Sequence, residues 1–386
     1  MKAPLLSLLL LTSTALAADW PQFRGPDATG VIDDQPPGPD LKIAWQTELP
    51  GRGLSSPIIV GDRVFLTCSS GLNQRILHVI CLDRQDGHRL WERTVLATGR
   101  TMSHKKTCVA APTPCSDGRR VYALFSSNDL VAFDLDGNLQ WLRGLTLDYP
   151  NASNSLGMAS SPVVIADTLV VQSENDSESL ALGLDAATGA NRWKMSRPKA
   201  ANWTSPVVLG EVVGLQSSKG LTGVHAATGE IRWDYTDGAA TIPSSVVAGD
   251  VALVPSNGLT ALAIEKDSTS QLWREKKLGP GTASPIVIGG WVYVISGAGV
   301  LAKADLKTGE EQWKMRLAGP FSGSPVAADH YLYIANERGD LQVVDLAGAE
   351  GKVVTTVPLE ETILATPALS SGALFVRSDG HLWCLR

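Results

Sequence analysis

Side chains that could hold a ligand or transfer a proton are concentrated in polar segments that precede a recurring Ser-Pro box. These segments contain Arg52, Ser103-His104-Lys105-Lys106, Asn151 to Met158, Asn202-Trp203 and Phe321. Basic groups beside amides and an aromatic ring favour an anionic or sugar-like ligand, held by charge-assisted hydrogen bonds and stacking. We therefore expect a ligand-binding site formed by Arg52, His104, Lys105, Asn154, Asn202 and Trp203. Solvated polar loops remain the alternative interpretation of the same segments.

Established catalytic and metal-binding motifs are absent from the sequence. It has no G-x-S-x-G, P-loop, H-E-x-x-H or G-x-G-x-x-G motif, and although His104 is of the type that performs general acid-base catalysis, we predict no catalytic residue. The acidic loops 174–178 and 134–138 contain candidate calcium ligands, but we interpret both as solvated hairpin turns. The five cysteines form no C-x-x-C pair, and their odd number leaves at least one thiol unpaired. We predict no metal site.

A box of Ser, Thr or Ala followed by a short apolar run recurs eight times along the chain. The copies are Ser56-Pro57, Ala111-Pro112, Ser161-Pro162, Ser205-Pro206, Ser244-Ser245, Ser284-Pro285, Ser324-Pro325 and Thr366-Pro367. A turn and a tryptophan follow each of the first six boxes, and one earlier tryptophan precedes the first box. These residues are Trp45, Trp91, Trp141, Trp193, Trp233, Trp273 and Trp313. We expect them to fill the gaps between neighbouring repeats as structural residues.

The repeat that begins at Ser284 shows the internal structure of one unit. Alternating apolar residues predict four strands, which are Ser284–Ile288, Trp291–Ile295, Val300–Ala304 and Glu311–Leu317, with glycine at each join. Four short antiparallel strands per repeat of about 40 residues are typical of a propeller blade. The sequence therefore predicts an all-β fold, an eight-bladed β-propeller of four-stranded antiparallel blades.

The two ends of the repeat region predict how the ring closes. The last repeat supplies three strands before the chain stops at Arg386, and Lys42–Leu49 is an unpaired strand at the start. Pairing this N-terminal strand with the last blade completes the eighth sheet and removes both edges. We expect residues 42–386 to form the propeller.

The first 41 residues divide into a signal peptide and an arm. Residues 1–17 have the charged, apolar and small-residue regions of a secretory signal, so we expect a periplasmic or secreted protein. Residues 18–41 form an N-terminal arm with the box Trp20-Pro21-Gln22-Phe23-Arg24-Gly25-Pro26, which either packs on the propeller or docks a partner. A lipid anchor is not indicated, because no cysteine lies at the cleavage site. No later segment has an apolar run long enough to span a membrane. The formal net charge of −6 argues against nucleic acid, and we expect a monomer.

The Ser-Pro box and the pattern Asp-x-x-Thr-Gly-x-x-x-Trp, best seen at Asp305–Trp313 and Asp185–Trp193, resemble the quinoprotein-type repeat. That family includes the pyrroloquinoline quinone (PQQ) dehydrogenases and the BamB-like outer-membrane assembly proteins, and the resemblance implies an eight-bladed propeller. The opening Trp-Pro-Gln-Phe-Arg-Gly-Pro is similar to the start of secreted PQQ-binding-like propellers. For a PQQ alcohol dehydrogenase the resemblance would also imply an adjacent Cys-Cys pair and Ca²⁺ held by Glu, Asn and Asp. This chain has no Cys-Cys dipeptide, so we predict no cofactor.

These observations favour a non-enzymatic binding or scaffolding propeller of the cell envelope. It would bind an envelope protein, or a small anionic or sugar ligand at the channel mouth. The first alternative is a PQQ-dependent oxidoreductase acting on an alcohol or sugar, with PQQ and Ca²⁺ as cofactors. The second is a carbohydrate-binding propeller. Fold alone does not choose among them.

Overall fold

Short apolar strands joined by tight turns form eight sheets in the computed structural model, which describes residues 19–152 and 156–386. The chain begins with β1 (Val31–Ile32) and β2 (Ile43–Glu48). Blades 1 to 7 are each built from four strands that are consecutive in the chain. Blade 1 has β3 (Ile58–Val60), β4 (Arg63–Ser70), β5 (Ile76–Asp83) and β6 (Arg89–Leu96). Blade 2 has β7 (Cys115–Ser116), β8 (Arg120–Leu124), β9 (Asp129–Asp134) and β10 (Leu139–Gly144). Blade 3 has β11 (Val163–Ile165), β12 (Thr168–Ser173), β13 (Leu180–Asp185) and β14 (Asn191–Ser196).

The later blades repeat the same order. Blade 4 has β15 (Val207–Leu209), β16 (Val212–Ser217), β17 (Gly220–His225) and β18 (Ile231–Tyr235). Blade 5 has β19 (Val246–Ala248), β20 (Val251–Val254), β21 (Leu259–Ile264) and β22 (Thr269–Glu275). Blade 6 has β23 (Ile286–Ile288), β24 (Trp291–Ile295), β25 (Val300–Asp305) and β26 (Glu311–Arg316). Blade 7 has β27 (Val326–Ala328), β28 (Tyr331–Ala335), β29 (Asp340–Asp345) and β30 (Lys352–Pro358). Blade 8 has β31 (Ala368–Ser370), β32 (Ala373–Arg377) and β33 (His381–Leu385).

Helical structure is limited to three short segments in the described ranges. They are the 3-10 turns Leu72–Gln74 and Lys276–Leu278 and the single helical turn α1 (Leu145–Asp148). None of the described helices is long and apolar enough to cross a membrane. The predicted all-β, eight-bladed propeller is confirmed.

The ring closes through the N-terminal strand, as the sequence predicts. Strand β2 pairs antiparallel with β33, with Ile43 opposite Leu385 and Glu48 opposite His381. Blade 8 therefore contains strands from both ends of the chain, and the main-chain groups of both end strands are hydrogen-bonded within one sheet.

The innermost strand of blade 6 is two residues shorter than predicted, since it begins at Ile286 and not at Ser284. Pro285 has no N–H to give to a strand ladder. The N–H of Ser284 donates to the next blade, to Ser324 Oγ at 3.0 Å. The box therefore links blades and lies outside the sheet.

The Asp-x-x-Thr-Gly pattern forms the turn between the third and fourth strands. Asp185 Oδ1 accepts hydrogen bonds from the N–H groups of Ala187 (3.1 Å) and Thr188 (2.9 Å). Gly189 takes a φ of +73°, which a residue with a Cβ rarely adopts. The Asp and the Gly of the pattern thus have defined roles in the turn geometry.

The repeated tryptophans lie between blades. Five of them donate an indole N–H to a main-chain oxygen in the following blade at 2.7–3.1 Å; they are Trp45, Trp91, Trp141, Trp193 and Trp273. The indole rings of these five face the turn glycine of that blade, respectively Gly87, Gly137, Gly189, Gly229 and Gly309. Trp313 faces Gly351 in the same way, and Trp233 is buried in the core between blades 4 and 5.

The N-terminal arm crosses the ring. Trp20 pairs with Ile59 of blade 1, and the carbonyl oxygen of Pro21 accepts from the N–H of Ser116 in blade 2. Further along, β1 adds a parallel fifth strand to blade 7, with Val31 opposite Ala327. The arm therefore packs on the propeller and joins the first two blades to the seventh. The predicted signal peptide lies outside the described residues.

Candidate functional site

The Ser or Thr of each box belongs to a ring of hydrogen bonds around the propeller axis. Seven main-chain N–H groups donate, each to the hydroxyl oxygen of the box in the following blade, at 2.8–3.0 Å. We call this the hydroxyl ring; its members are Ser56, Thr113, Ser161, Ser205, Ser244, Ser284, Ser324 and Thr366. Ser56 Oγ is 1% exposed and has no hydrogen-bond partner. The ring thus has seven linked hydroxyls and one unlinked hydroxyl.

The ring corrects the position of the box in blade 2. The sequence contains Ala111-Pro112 and Thr113-Pro114 in succession, and we predicted the first pair. Thr113 Oγ1 accepts from the N–H of Ser56, and the N–H of Thr113 donates to Ser161 Oγ. An alanine has no hydroxyl with which to make this link, so Thr113-Pro114 is the box.

The hydroxyl ring surrounds a cavity of about 530 Å³ on the axis. Apolar side chains from the loops that precede the innermost strands form its outer wall: Leu54, Leu156, Trp203, Ile242 and Leu364. Phe23 of the arm also lines the cavity. The arm contacts two innermost strands, at Ile59 and Ser116, and the box residue Pro285. The cavity therefore has the loops on one side and the arm on the other.

Two of the predicted site residues line this cavity, namely His104 and Trp203, together with Lys106. The N–H of His104 donates to the carbonyl oxygen of Leu156 at 2.8 Å. Trp203 Nε1 donates to the carbonyl oxygen of Gly157 at 2.9 Å. Loops of three successive blades are thereby held together at the cavity wall.

Arg52 and Lys105 lie near each other beside the cavity. Arg52 Nε pairs with Asp379 Oδ2 at 3.0 Å, and Arg52 Nη2 donates to the carbonyl oxygen of Lys105 at 2.7 Å. The Arg52 guanidinium is therefore occupied by contacts with blade 8 and with the neighbouring loop. The Lys105 side chain is exposed.

Asn202 is buried in a polar cluster away from the cavity lining. Its Nδ2 donates to Glu174 Oε2 at 3.1 Å, while Arg197 Nε donates to Glu174 Oε1 at 2.7 Å. Burial raises the pKa of Glu174, against the opposing effect of the Arg197 charge. The prediction that Glu174 belongs to a solvated turn was wrong, because its carboxylate is buried in this pair. Asn154 lies outside the described residues.

Arg24 was missed in the sequence analysis as a site residue. Its side chain is 1% exposed, and Nη2 donates to the carbonyl oxygens of Thr29 (2.8 Å) and Pro285 (2.5 Å). Nε and Nη1 have no hydrogen-bond partner. Burial lowers the pKa of Arg24 to about 9, and no carboxylate among the described residues opposes this shift. No sequence signal distinguishes this buried cation from a surface arginine.

The cavity does not fit a metal-bound quinone. None of its described lining residues is Asp, Glu, Asn or Gln, which are the oxygen ligands that Ca²⁺ takes from side chains. One cluster of three candidate metal ligands occurs in the described ranges, Asp83, Asp86 and His88, and it lies at the turn between β5 and β6 of blade 1. We therefore derive no step through PQQ.

All five cysteines are free and buried: Cys68, Cys81, Cys108, Cys115 and Cys384. Burial raises the pKa of the Cys81 and Cys108 thiols to about 12 and that of Cys384 to about 11. Because the thiolate is the reactive form, these side chains are poor nucleophiles in the folded protein.

Exposed apolar side chains lie on the loops of blades 1 to 3, and one of them, Leu156, also lines the cavity. We call this set the mouth surface; it comprises Leu72 (83% exposed), Leu96 (70%), Met102 (56%), Leu147 (72%) and Leu156 (46%). Their loops contact one another: the N–H of Ala97 bonds to the carbonyl oxygen of Arg75, and Thr146 lies beside Gly99.

Basic side chains are interspersed with this mouth surface. Arg75, Arg100, His104 and Lys105 are exposed on the same loops, whereas the ammonium group of Lys106 is ion-paired with Glu337. The acidic Asp148 of α1 is already bonded to Arg143. The mouth surface is therefore apolar and positively charged on a protein whose overall charge is negative.

Comparison with known proteins gives a family match over the propeller. The model of the family described as outer membrane protein assembly factor BamB matches residues 39–235, 236–319 and 297–386. The chain is 29% identical over 222 residues to the outer membrane protein assembly factor BamB of Alkalilimnicola ehrlichii. That match covers 56% of this chain and 52% of the relative, so the chain spans about half the length of the curated relative it matches.

Solved structures that share the fold include a BamB and a methanol dehydrogenase. BamB from Moraxella catarrhalis superposes with a TM-score of 0.66 at 15% identity, covering 90% of this chain and 97% of that one. A europium-containing methanol dehydrogenase superposes with a TM-score of 0.77 at 11% identity, covering 95% of this chain and 98% of that one. At these identities the likeness shows the architecture alone.

Proposed function

We propose, since this chain belongs to the family of outer membrane protein assembly factor BamB, that it is a non-enzymatic docking scaffold for outer membrane protein assembly in the cell envelope. It would work on the periplasmic side after removal of the signal peptide. The mouth surface is the observation that supports this proposal. Large apolar side chains exposed together on contacting loops mark a site of protein association more often than an ordinary surface.

The charge of the mouth surface defines the kind of partner. Arg75, Arg100 and Lys105 are exposed on the same loops as the exposed leucines, so the matching face would carry apolar side chains together with Asp and Glu. Complementary charges of this kind mainly raise the rate of encounter and fix orientation, while the apolar centre supplies most of the affinity. We therefore propose a folded or extended envelope protein with an apolar, acidic face as the partner.

The oxidoreductase alternative lacks support in the cavity. Its lining offers no carboxylate for a metal, and the buried free cysteines supply no adjacent disulfide above a cofactor. A thermal-shift titration with PQQ and Ca²⁺ addresses this alternative, because tight binding to the native state raises the melting temperature. We expect no rise.

The carbohydrate-binding alternative depends on stacking of a sugar on an exposed aromatic ring face. Trp203 is the one tryptophan among the described lining residues.

Site-specific photo-crosslinking in the native envelope tests the scaffold proposal. A photoreactive amino acid at Leu147 of the mouth surface should capture a component of outer membrane protein assembly. Leu272 is the matched control, because it is also an exposed leucine (47%) but lies on the outermost strand of blade 5. The crosslinked protein is identified by mass spectrometry.

The comparison between the two positions decides the outcome. Capture of an assembly component from Leu147 and not from Leu272 supports the proposal. Equal capture from both positions, or capture only of proteins unrelated to outer membrane assembly, contradicts it.

A further inference from the structure

The arm supplies a main-chain partner to the innermost strands of some blades. Trp20 exchanges two hydrogen bonds with Ile59 of β3, and in each the N–H lies 2.9 Å from the carbonyl oxygen of the other residue. The carbonyl oxygen of the next arm residue, Pro21, accepts from the N–H of Ser116 in β7 at 2.8 Å. Farther along the arm, β1 pairs with β27 of blade 7. The arm therefore binds the free edges of these innermost strands as an added peptide binds the edge of a sheet.

The innermost strands of blades 4 and 5 have the same edge without such a partner. Val208 and Val247 are each the third residue after the box serine, as Ile59 is in blade 1, and each is the middle one of three residues paired with the second strand. Successive residues of an antiparallel strand direct their main-chain groups to opposite sides. Because the groups of Ile59 point to Trp20, those of Val208 and Val247 point away from their sheets in the same way. Among the described residues, no strand pairs with this side of β15 or β19.

A cavity of about 370 Å³ lies between these two edges and the arm. We call it the arm groove; its lining consists of Asp27, Thr29, Val31, Val208, Leu209, Gly210, Val247, Ala248, Gly249 and Val287. The wall is mostly apolar, with four valines and a leucine. Beside the turn glycines Gly210 and Gly249 the space is open, since an added Cβ would meet nothing within 4 Å. The arm groove therefore offers room for a further extended chain next to the two edges.

The charged side chains at the arm groove are acidic. Its lining includes Asp27 and, among the residues that the structure describes, neither Lys nor Arg. Glu211 follows lining residue Gly210, Asp250 follows lining residue Gly249, and both side chains are exposed. A segment that carries Lys or Arg would complement this charge, whereas an acidic segment would be repelled.

From this arrangement we infer that the arm groove binds an extended basic peptide segment of a partner protein, which adds as a strand to β15 and β19. The arm is the template, because Trp20 and Pro21 bond to two neighbouring blades through consecutive residues. One residue of the peptide would exchange hydrogen bonds with Val208, and its next carbonyl oxygen would accept from the N–H of Val247. Apolar side chains of the peptide face the valine-rich wall, and basic ones face the acidic turns. The arm groove shares no residue with the mouth surface and does not depend on the proposed scaffold function.

Isothermal titration of the mature protein with the peptide acetyl-Lys-Val-Lys-Val-Lys-amide tests the inference. The peptide acetyl-Glu-Val-Glu-Val-Glu-amide has the same alternation with the opposite charge. The third probe is the lysine peptide with a methyl group on every main-chain nitrogen, which keeps the charge and removes the N–H donors. We expect the lysine peptide to bind at least about tenfold more tightly than each of the other two, because it combines main-chain hydrogen bonds with complementary charge.

Charge reversal at the two turns locates the binding site. The double variant Glu211→Lys with Asp250→Lys changes exposed turn side chains, and we expect it to weaken binding of the lysine peptide at least about tenfold. Glu310→Lys with Glu350→Lys is the matched control, because it changes the net charge equally at exposed positions that do not line the arm groove. Its affinity for the lysine peptide should equal that of the wild type.

Three results would overturn the inference. The first is absence of binding by the lysine peptide. The second is equally tight binding of either comparison peptide, since that would show attraction without strand addition or without charge recognition. The third is equal loss of affinity in the two double variants, which would place the peptide elsewhere on an acidic protein.

Discussion

Trp193 of blade 3 faces Gly229 of blade 4, and its indole N–H donates to the carbonyl oxygen of Ala226 at 2.7 Å. A Cβ added to Gly229 would lie 2.7 Å from the indole ring, which is closer than real Cβ atoms approach other atoms. The tryptophan of one repeat and the glycine of the next are therefore one structural unit. The repeat in the sequence thus places the tryptophan of one blade against the turn glycine of the next.

Replacing this glycine should loosen the contact between blades 3 and 4. Gly229→Ala forces both a steric clash with Trp193 and a side chain at a φ of +73°, so we expect a loss of about 2–4 kcal/mol in the free energy of unfolding. Gly249→Ala is the control, because Gly249 has a φ of +61° with nothing within 4 Å of the added Cβ. It should lose about 1 kcal/mol. Urea denaturation measures both, and equal losses would contradict the account.

Ser160 and Ser161 are adjacent and both buried, but Ser161 belongs to the hydroxyl ring and Ser160 does not. Their alanine variants therefore distinguish the effect of losing a ring hydrogen bond from the effect of losing a buried hydroxyl. Ser161→Ala removes the acceptor of the Thr113 N–H and leaves that group unsatisfied, so we expect a loss of about 1–3 kcal/mol. Ser160→Ala removes a hydroxyl that bonds to nothing and should change stability by about 0.5 kcal/mol or less. Chemical denaturation of the two variants under identical conditions tests this difference. A Ser160→Ala loss as large as that of Ser161→Ala would show that the ring bond contributes nothing.

The repeat made much of the fold predictable, because its residues act locally. Asp185 and Gly189 form a turn from groups within five residues of each other, and the unpaired strand before the first box could be assigned to the last blade by counting. The box of blade 2 was misplaced because Ala111-Pro112 and Thr113-Pro114 both fit the pattern. The hydroxyl ring that distinguishes them joins residues 48 and 57 positions apart.

The candidate site was less predictable for the same physical reason. Asn202 and Arg24 are polar residues in loop-like segments, and their burial depends on blades that are remote in sequence. Asn202 meets Glu174 across 28 residues, and Arg24 meets Pro285 across 261. His104 and Trp203 were predicted to lie at the channel mouth because they belong to segments that precede the Ser-Pro boxes, which is a local property, and both line the cavity.

The turn carboxylate of Asp185 should make a pH-dependent contribution to stability. A hydrogen bond from Arg192 is the main cause that lowers the pKa of Asp185 to about 2, well below its unfolded value. A carboxyl with a lowered folded-state pKa stabilises the protein above its unfolded pKa, and this stabilisation is lost as the pH falls toward the folded value. The difference in unfolding free energy between wild type and Asp185→Asn should therefore be below about 1 kcal/mol at pH 7 and vanish between about pH 4 and pH 2. Asp40→Asn, an exposed charge on the arm, is the control. A difference that grows on acidification would refute this assignment.

The cysteines should be unreactive in the native protein. Burial of all five thiols, with the pKa of Cys81 and Cys108 raised to about 12, leaves little accessible thiolate near neutral pH. A thiol-reactive chromogenic disulfide should label none of the five in native buffer and all five in denaturant. Rapid labelling of the native protein would contradict the described burial.

Docking through the mouth surface is the central claim, and paired aspartate substitutions test it most directly. Leu72→Asp with Leu147→Asp alters the mouth surface, whereas Ile231→Asp with Leu272→Asp alters two other exposed apolar side chains (55% and 47% exposed) on the outermost strands of blades 4 and 5. The measurement is the amount of outer membrane assembly protein that co-purifies with each variant from the native envelope. We predict loss of at least about 90% with the mouth variant, equivalent to 1.4 kcal/mol or more, and retention with the control. Equal retention by both variants would contradict the account.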